Sequence, residues 1–106
     1  MTKGMKNCVL AIILTATLGR IAYGNHIETW YNLPMDNVID RAYENGICLD
    51  YWERKDGMKM FGKYVIVATD ESIPLGTVVE TSRGKGIVLD RHEAESNVYD
   101  LATTWE

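Results

Sequence analysis

The chain is poor in the groups that hold metals and bind polyanions. Its 106 residues include only two cysteines and two histidines, and Cys48, His26 and His92 stand too far apart in sequence to form a recognisable zinc-ligand spacing. No metal and no other cofactor is expected. Positive charge is also short: 11 Lys and Arg against 15 Asp and Glu leave a formal charge of −4, which argues against nucleic acid as a partner. Long hydrophobic runs are missing as well. The uncharged stretch from Cys8 to Leu18 is shorter than the ~20 residues that a membrane-crossing helix needs, so no stable membrane span is expected.

That short run has another reading. Lys3 and Lys6 precede it, and Arg20 and the small-residue pattern Ala22-Tyr23-Gly24 follow, the layout of a secretory signal with cleavage near Gly24. Residues 1–24 are thus assigned to a signal peptide and 25–106 to one domain, secreted or associated with a cell wall. Cleavage removes Lys3, Lys6 and Arg20 but no acidic residue, so 8 basic groups face 15 acidic ones and the formal charge becomes −7. It also removes Cys8. Cys48 then has no partner for a disulfide and is expected as a small buried hydrophobe.

The remaining residues read mainly as β structure. An extended arm runs from Asn25 to Pro34, and Asp36 is a candidate N-cap for one short helix that carries Val38, Ile39, Ala42 and Tyr43 on one face and ends at Gly46. Strands are expected over Ile47–Trp52, across Met58–Thr69 after an Asp56-Gly57 turn, over Thr77–Thr81, over Ile87–Asp90 after a turn at Arg83–Gly86, and over Val98–Trp105. Three aspartates punctuate this region. Asp70 ends the run Val65–Thr69, Asp90 ends Ile87–Leu89, and Asp100 lies inside Val98–Ala102, where alternation puts it on the face of Val98, Ala102 and Thr104. Clustered carboxylates are acid/base equipment. Taken singly, each is equally a turn or cap residue, because Asp bonds exposed backbone groups after strands.

The order Asp70, Ile73-Pro74-Leu75-Gly76-Thr77, Asp90 and Asp100 resembles the three-aspartate ("3D") domain of bacterial cell-wall enzymes. That family is related to the membrane-bound lytic transglycosylase A and rare-lipoprotein-A-like barrels. Upstream, Glu28–Met35 and Asp56–Gly62 resemble blocks of its shorter secreted members. The resemblance implies a mainly β fold, a six-stranded double-psi β-barrel with one short helix. It also implies a monomer whose partner is the glycan strand of peptidoglycan and whose reaction cuts the MurNAc–GlcNAc bond by one Asp acting as acid and then base. On that reading Asp100 is the catalytic acid/base and Asp90 assists it. Tyr31, Trp52 and Asp70 are the candidate substrate contacts. The two aromatics are placed there to stack on sugar rings, although an aromatic in a small barrel is more often core, and Asp70 is expected chiefly to bond the amides of its own turn.

Asp90-Arg91-His92-Glu93 departs from the glycine-rich turn usual after the second aspartate in that family. A non-catalytic peptidoglycan-binding barrel with an altered site is therefore the alternative, and a disabled remnant a third. His92 is read as a solvated loop residue, and Arg83 and Lys85 as surface charge.

Overall fold

The computed structural model describes residues 19–106. Its centre is the run Tyr64–Thr69, whose last five side chains are all buried. A strand this uniformly apolar must be covered on both faces and paired on both edges, and it is.

Eight strands and one helix are present among the described residues: β1 (Arg20–Tyr23), β2 (His26–Tyr31), α1 (Asp36–Glu44), β3 (Tyr51–Glu53), β4 (Lys59–Phe61), β5 (Tyr64–Thr69), β6 (Val78–Thr81), β7 (Gly84–Arg91) and β8 (Val98–Ala102). β5 pairs antiparallel with β4 at its start, parallel with β7 along its length and antiparallel with β8 at its end. β8 continues outward through a parallel pairing with β2, which carries β1 on its far edge. On the other side β6 pairs with β7, and β3 pairs with β4. The mainly β class and the single short helix agree with the sequence reading. The strand number does not, and the pairing path runs from β1 to β3 with β7 and β6 branching off it, without closing into a ring.

Alternation along β5 divides the core. Ile66 and Ala68 face one layer together with Tyr31, Phe61, Ile87, Leu89, Ala102 and the helix residues Met35, Val38 and Ala42. Val65 and Val67 face the other, with Trp30, Met58, Met60 and Leu101. α1 covers the first layer because its apolar residues recur at helical spacing, Val38 and Ala42 buried and Ile39 packed beside them.

Several local expectations change. Met35, not Asp36, occupies the N-cap position of α1 and makes no side-chain cap bond; Asp36 is the first helical residue, where its charge suits the positive end of the helix. Gly46 follows the helix at φ 81°, as its placement required. Only Tyr51 and Trp52 of the predicted Ile47–Trp52 strand are extended, in a strand that runs on to Glu53, and Cys48 before it is exposed rather than buried. The second turn falls on Ser82 and Arg83, so β7 already begins at Gly84, and the last strand stops at Ala102. The Asp56-Gly57 turn is present. Gly57 sits at φ 97°, and a Cβ there would lie 2.5 Å from the indole nitrogen of Trp105, so both conformation and space demand glycine.

Of the predicted leader, residues 1–18 lie outside the described residues. Residues 20–23 form β1, all four exposed, so this strand adds an outer edge while contributing nothing to the buried core. No helix among the described residues is long and apolar enough to cross a membrane.

Candidate active site

Two of the three aspartates meet across the central strand. In the β5–β8 pairing Ala68 is opposite Asp100, and in the β5–β7 pairing the same Ala68 is opposite Asp90. Thr29 extends the row on the far side of β8, opposite Asp100. The order across the sheet is therefore Thr29, Asp100, Ala68, Asp90, and the two aspartate backbones stand two strand spacings apart, about 10 Å. Between them Ala68 supplies only a methyl group, which leaves the space above it to the carboxylates.

A register shift makes this row. Val67 is opposite Val88, but Ala68 is opposite Asp90, so Leu89 is an extra residue on β7. Such a bulge re-aims the side chains around it. Leu89 packs into the layer under α1, and Asp90 turns toward the same side, where Tyr31 and Arg41 meet it. Uninterrupted pairing would have set Asp90 opposite Thr69, one residue out of line with Asp100.

The two carboxyl groups have different surroundings. Asp100 is 3% exposed, and its one side-chain hydrogen bond among the described residues comes from Thr29 Oγ1, which donates to Oδ1 at 2.8 Å. Burial, aided by the nearby negative charge of Asp90 and opposed by the Thr29 hydrogen bond, pushes Asp100 up to about 7. The group is thus poised between acid and base near neutral pH. The Asp90 side chain is 20% exposed and better supplied with donors. Its Oδ2 accepts from the Tyr31 hydroxyl at 2.8 Å, and its Oδ1 accepts from the Arg91 backbone N–H at 2.8 Å and from Arg41 Nη2 at 3.3 Å. Arg41 Nη2 also donates to the Leu89 carbonyl at 3.0 Å.

Tyr31 does not present its ring as a sugar platform. The ring is in the core at 6% exposure, and only the hydroxyl reaches the site. Burial, then the charges of Asp90 and Asp100, hold that hydroxyl well above its usual range, so it stays a donor. Trp52 is elsewhere, on the edge strand β3, 45% exposed, with Nε1 donating to the Gly62 carbonyl. Asp70 also lies outside the cluster. Its Oδ1 accepts from the Ser72 amide at 3.0 Å and the Ser72 hydroxyl at 2.5 Å, and these bonds lower its pKa. The turn is pinned to β7 by Arg91, whose Nη1 donates to the Asp70 and Ile73 carbonyls. That is the turn-holding role expected for Asp70.

His92 is no solvated loop residue: burial lowers its pKa, and its ring bonds the Val98 carbonyl and the Ala94 amide. Arg83 is more than surface charge, since its guanidinium lies 4.9 Å from the centre of the Trp105 ring and pairs with Asp56.

Comparison with protein families, characterised proteins and solved structures finds no match to this chain. The three-aspartate resemblance accordingly stands on the motif residues alone, and the chemistry has to be argued from the site.

Two contributors to the site lie far along the chain from the carboxylates they meet: Thr29 is 71 residues from Asp100 and Arg41 is 49 from Asp90. Thr29 had a weak signal, standing between Glu28 and Trp30 on a strand where a small hydroxyl breaks an otherwise bulky run. Arg41 had none. No group of three or more His, Cys, Asp and Glu able to hold a metal ion occurs among the described residues.

Proposed function

We propose that this protein is a lytic transglycosylase-like enzyme that cuts the MurNAc–GlcNAc bond of peptidoglycan with Asp100 as the single acid/base. The observation that carries the proposal is the buried Asp100 carboxyl, pushed up to about 7 beside a donor-supplied Asp90. The reaction demands a group that is protonated on meeting the glycosidic oxygen and a base immediately afterwards. Asp100 donates its proton to that oxygen as the bond to C1 breaks, releasing the leaving sugar as an alcohol. Its carboxylate then takes the proton of the C6 hydroxyl while that oxygen bonds to C1. The product is a 1,6-anhydro sugar, the proton is back on Asp100, and no water is consumed. Asp90 faces the positive charge that develops at C1 and helps keep Asp100 protonated at rest. The double-psi barrel, secretion and wall localisation belong to the same reading, supported by the motif order and the leader-like N-terminus.

The test is mass spectrometry of muropeptides released from purified peptidoglycan by the protein and by its Asp100→Asn variant. Anhydro-muropeptides from the parent alone support the reading. A fully active Asp100→Asn protein sinks it.

A second reading, wall binding without turnover, is favoured by a separate observation. An open groove of about 620 Å3 lies between the start of α1 and β3, with Tyr51, Asp36, Asp40 and Glu53 on its walls. An aromatic ring beside carboxylates can hold a polyhydroxylated ligand by stacking and by accepting its hydroxyl hydrogen bonds. Peptidoglycan pull-down that survives Asp100→Asn, with no anhydro product from either protein, would select this reading.

A further inference from the structure

The bulge at Leu89 is held by side chains that the acid/base chemistry does not itself use. Arg41 reaches from α1 and donates through one nitrogen to both the carbonyl of the extra residue, Leu89, and the Asp90 carboxylate. Tyr31 reaches from β2, on the far side of β8, and donates to the other Asp90 oxygen. A bulged strand leaves its extra residue outside the ladder, and a carboxylate at a partly open edge has solvent to turn to. Both freedoms are removed by these contacts. We infer that Tyr31 and Arg41 are positioning residues, a clamp from two separate elements that fixes the bulge and keeps the charge of Asp90 facing Asp100.

The inference rests on the assignment of Asp100 as the working acid, but it makes its own claim about the free protein. The charged and titratable groups around Asp100 are few. β7 contributes Asp90, β2 contributes the Tyr31 hydroxyl, α1 contributes Arg41 through Asp90, and β5 contributes none, since the residue opposite Asp100 is Ala68. His92, beyond β7, is turned to the Val98 carbonyl, and the Arg91 side chain is turned to the Asp70 turn. Among these, the one negative charge that raises Asp100 is Asp90. If the clamp lets go, Asp90 swings toward water, its repulsion weakens, and Asp100 releases its proton at lower pH.

The experiment is a carboxyl 13C NMR titration of Asp100 in the full chain without substrate. The proteins are the parent, Asp90→Asn, Tyr31→Phe, Arg41→Lys and the double variant Tyr31→Phe/Asp90→Asn. Arg41→Lys keeps the positive charge but ends one bond short of the Nη2 position that meets both the Leu89 carbonyl and Asp90, and the side chain is 41% exposed, so it tests the clamp even where Tyr31→Phe fails to fold. The midpoint is expected to fall by about half a pH unit in each clamp variant, toward the value in Asp90→Asn. In the Asp90→Asn background Tyr31→Phe should move it no further, since Tyr31 acts through Asp90. Thr29→Val is the control of opposite sign, because loss of the hydrogen bond that favours the carboxylate raises the midpoint. Unchanged midpoints in folded Arg41→Lys and Tyr31→Phe overturn the inference, as does a Tyr31→Phe shift of equal size with Asp90 already neutral. Absence of anhydro product from the parent defeats the transglycosylase reading and leaves this titration to decide the clamp by itself.

Discussion

Two carboxyl groups are buried back to back in the β2–β8 pair, and they are treated in opposite ways. Glu28 and Thr29 are neighbours on β2, opposite Tyr99 and Asp100 of β8, and alternation sends Glu28 to one face and Asp100 to the other. Glu28 is 0% exposed, yet it accepts from the Ser82 amide at 2.8 Å and the Ser82 hydroxyl at 2.5 Å, and its Oε2 lies 2.9 Å from His26 Nε2. Those contacts tie β2 to the turn between β6 and β7. Asp100 is almost as deep and has the single Thr29 hydroxyl. Equal depth therefore comes with unequal hydrogen bonding. What separates the two is the number of donors within reach, since each one offsets part of the cost of removing a charge from water.

The largest effect that would break this comparison is at Asp100 itself. On the proposed transglycosylase reading, Asp100→Asn should lower anhydro-muropeptide release by about 10²–10⁴-fold, the usual contribution of a positioned acid/base, in a side-by-side digestion of peptidoglycan.

The same substitution should sharpen the contrast in stability. A carboxyl raised from its ordinary 3.8 to about 7 in the fold costs nothing when protonated in both states. It costs progressively more as the pH climbs from about 4 to about 7, because the unfolded chain ionises first. Denaturant unfolding of the parent should therefore lose up to about 4 kcal/mol from this group between pH 4 and pH 8. Asp100→Asn should remove that slope, and the variant should be the more stable protein at pH 8 and no more stable at pH 4.

Glu28→Gln should behave differently in every respect. It leaves the site face intact but deprives Ser82 and His26 of a carboxylate oxygen, for a loss of about 1–3 kcal/mol in the same unfolding experiment. The Asp100 titration midpoint should stay where it is.

The smallest effect is expected at Asp70, the most solvated of the three motif aspartates. Asp70→Ala should release the Ser72 bonds and loosen its turn, seen as faster amide exchange over residues 70–76. Muropeptide release should remain at the parent level.

Much of the architecture was written in the chain because it follows from local periodicity. The uniformly apolar Val65–Ala68 announced a strand buried on both faces, Val38 and Ala42 announced one covered helix face, and Asp56-Gly57 and Gly46 announced places where the backbone turns through positive φ. Alternation also placed Asp100 and Ala102 on one side and Tyr99 and Leu101 on the other. Short-range patterns did less well where two meanings share one residue type. Ile47–Asp50 has strand-forming character but joins no strand among the described residues, and Cys48 within it is exposed. Tyr31 could be read as a sugar platform or, more often for an aromatic in a small barrel, as core, and burial of the ring decided for the core.

The sequence by itself determined which residues could be strands, which faces would be apolar, and that Asp90 and Asp100 would each sit on a strand beside such a face. Only the tertiary structure decided that they share a row. That row depends on β5 taking β7 as a parallel partner and β8 as an antiparallel one at the same Ala68, and on one extra residue, Leu89, shifting the register by a single place. Pairing partners come from distant parts of the chain, and a one-residue slip changes no local propensity while redirecting every side chain beyond it. The same long-range assembly brought Thr29 to one carboxyl group and Tyr31 and Arg41 to the other, partners that no local pattern in the chain could have named.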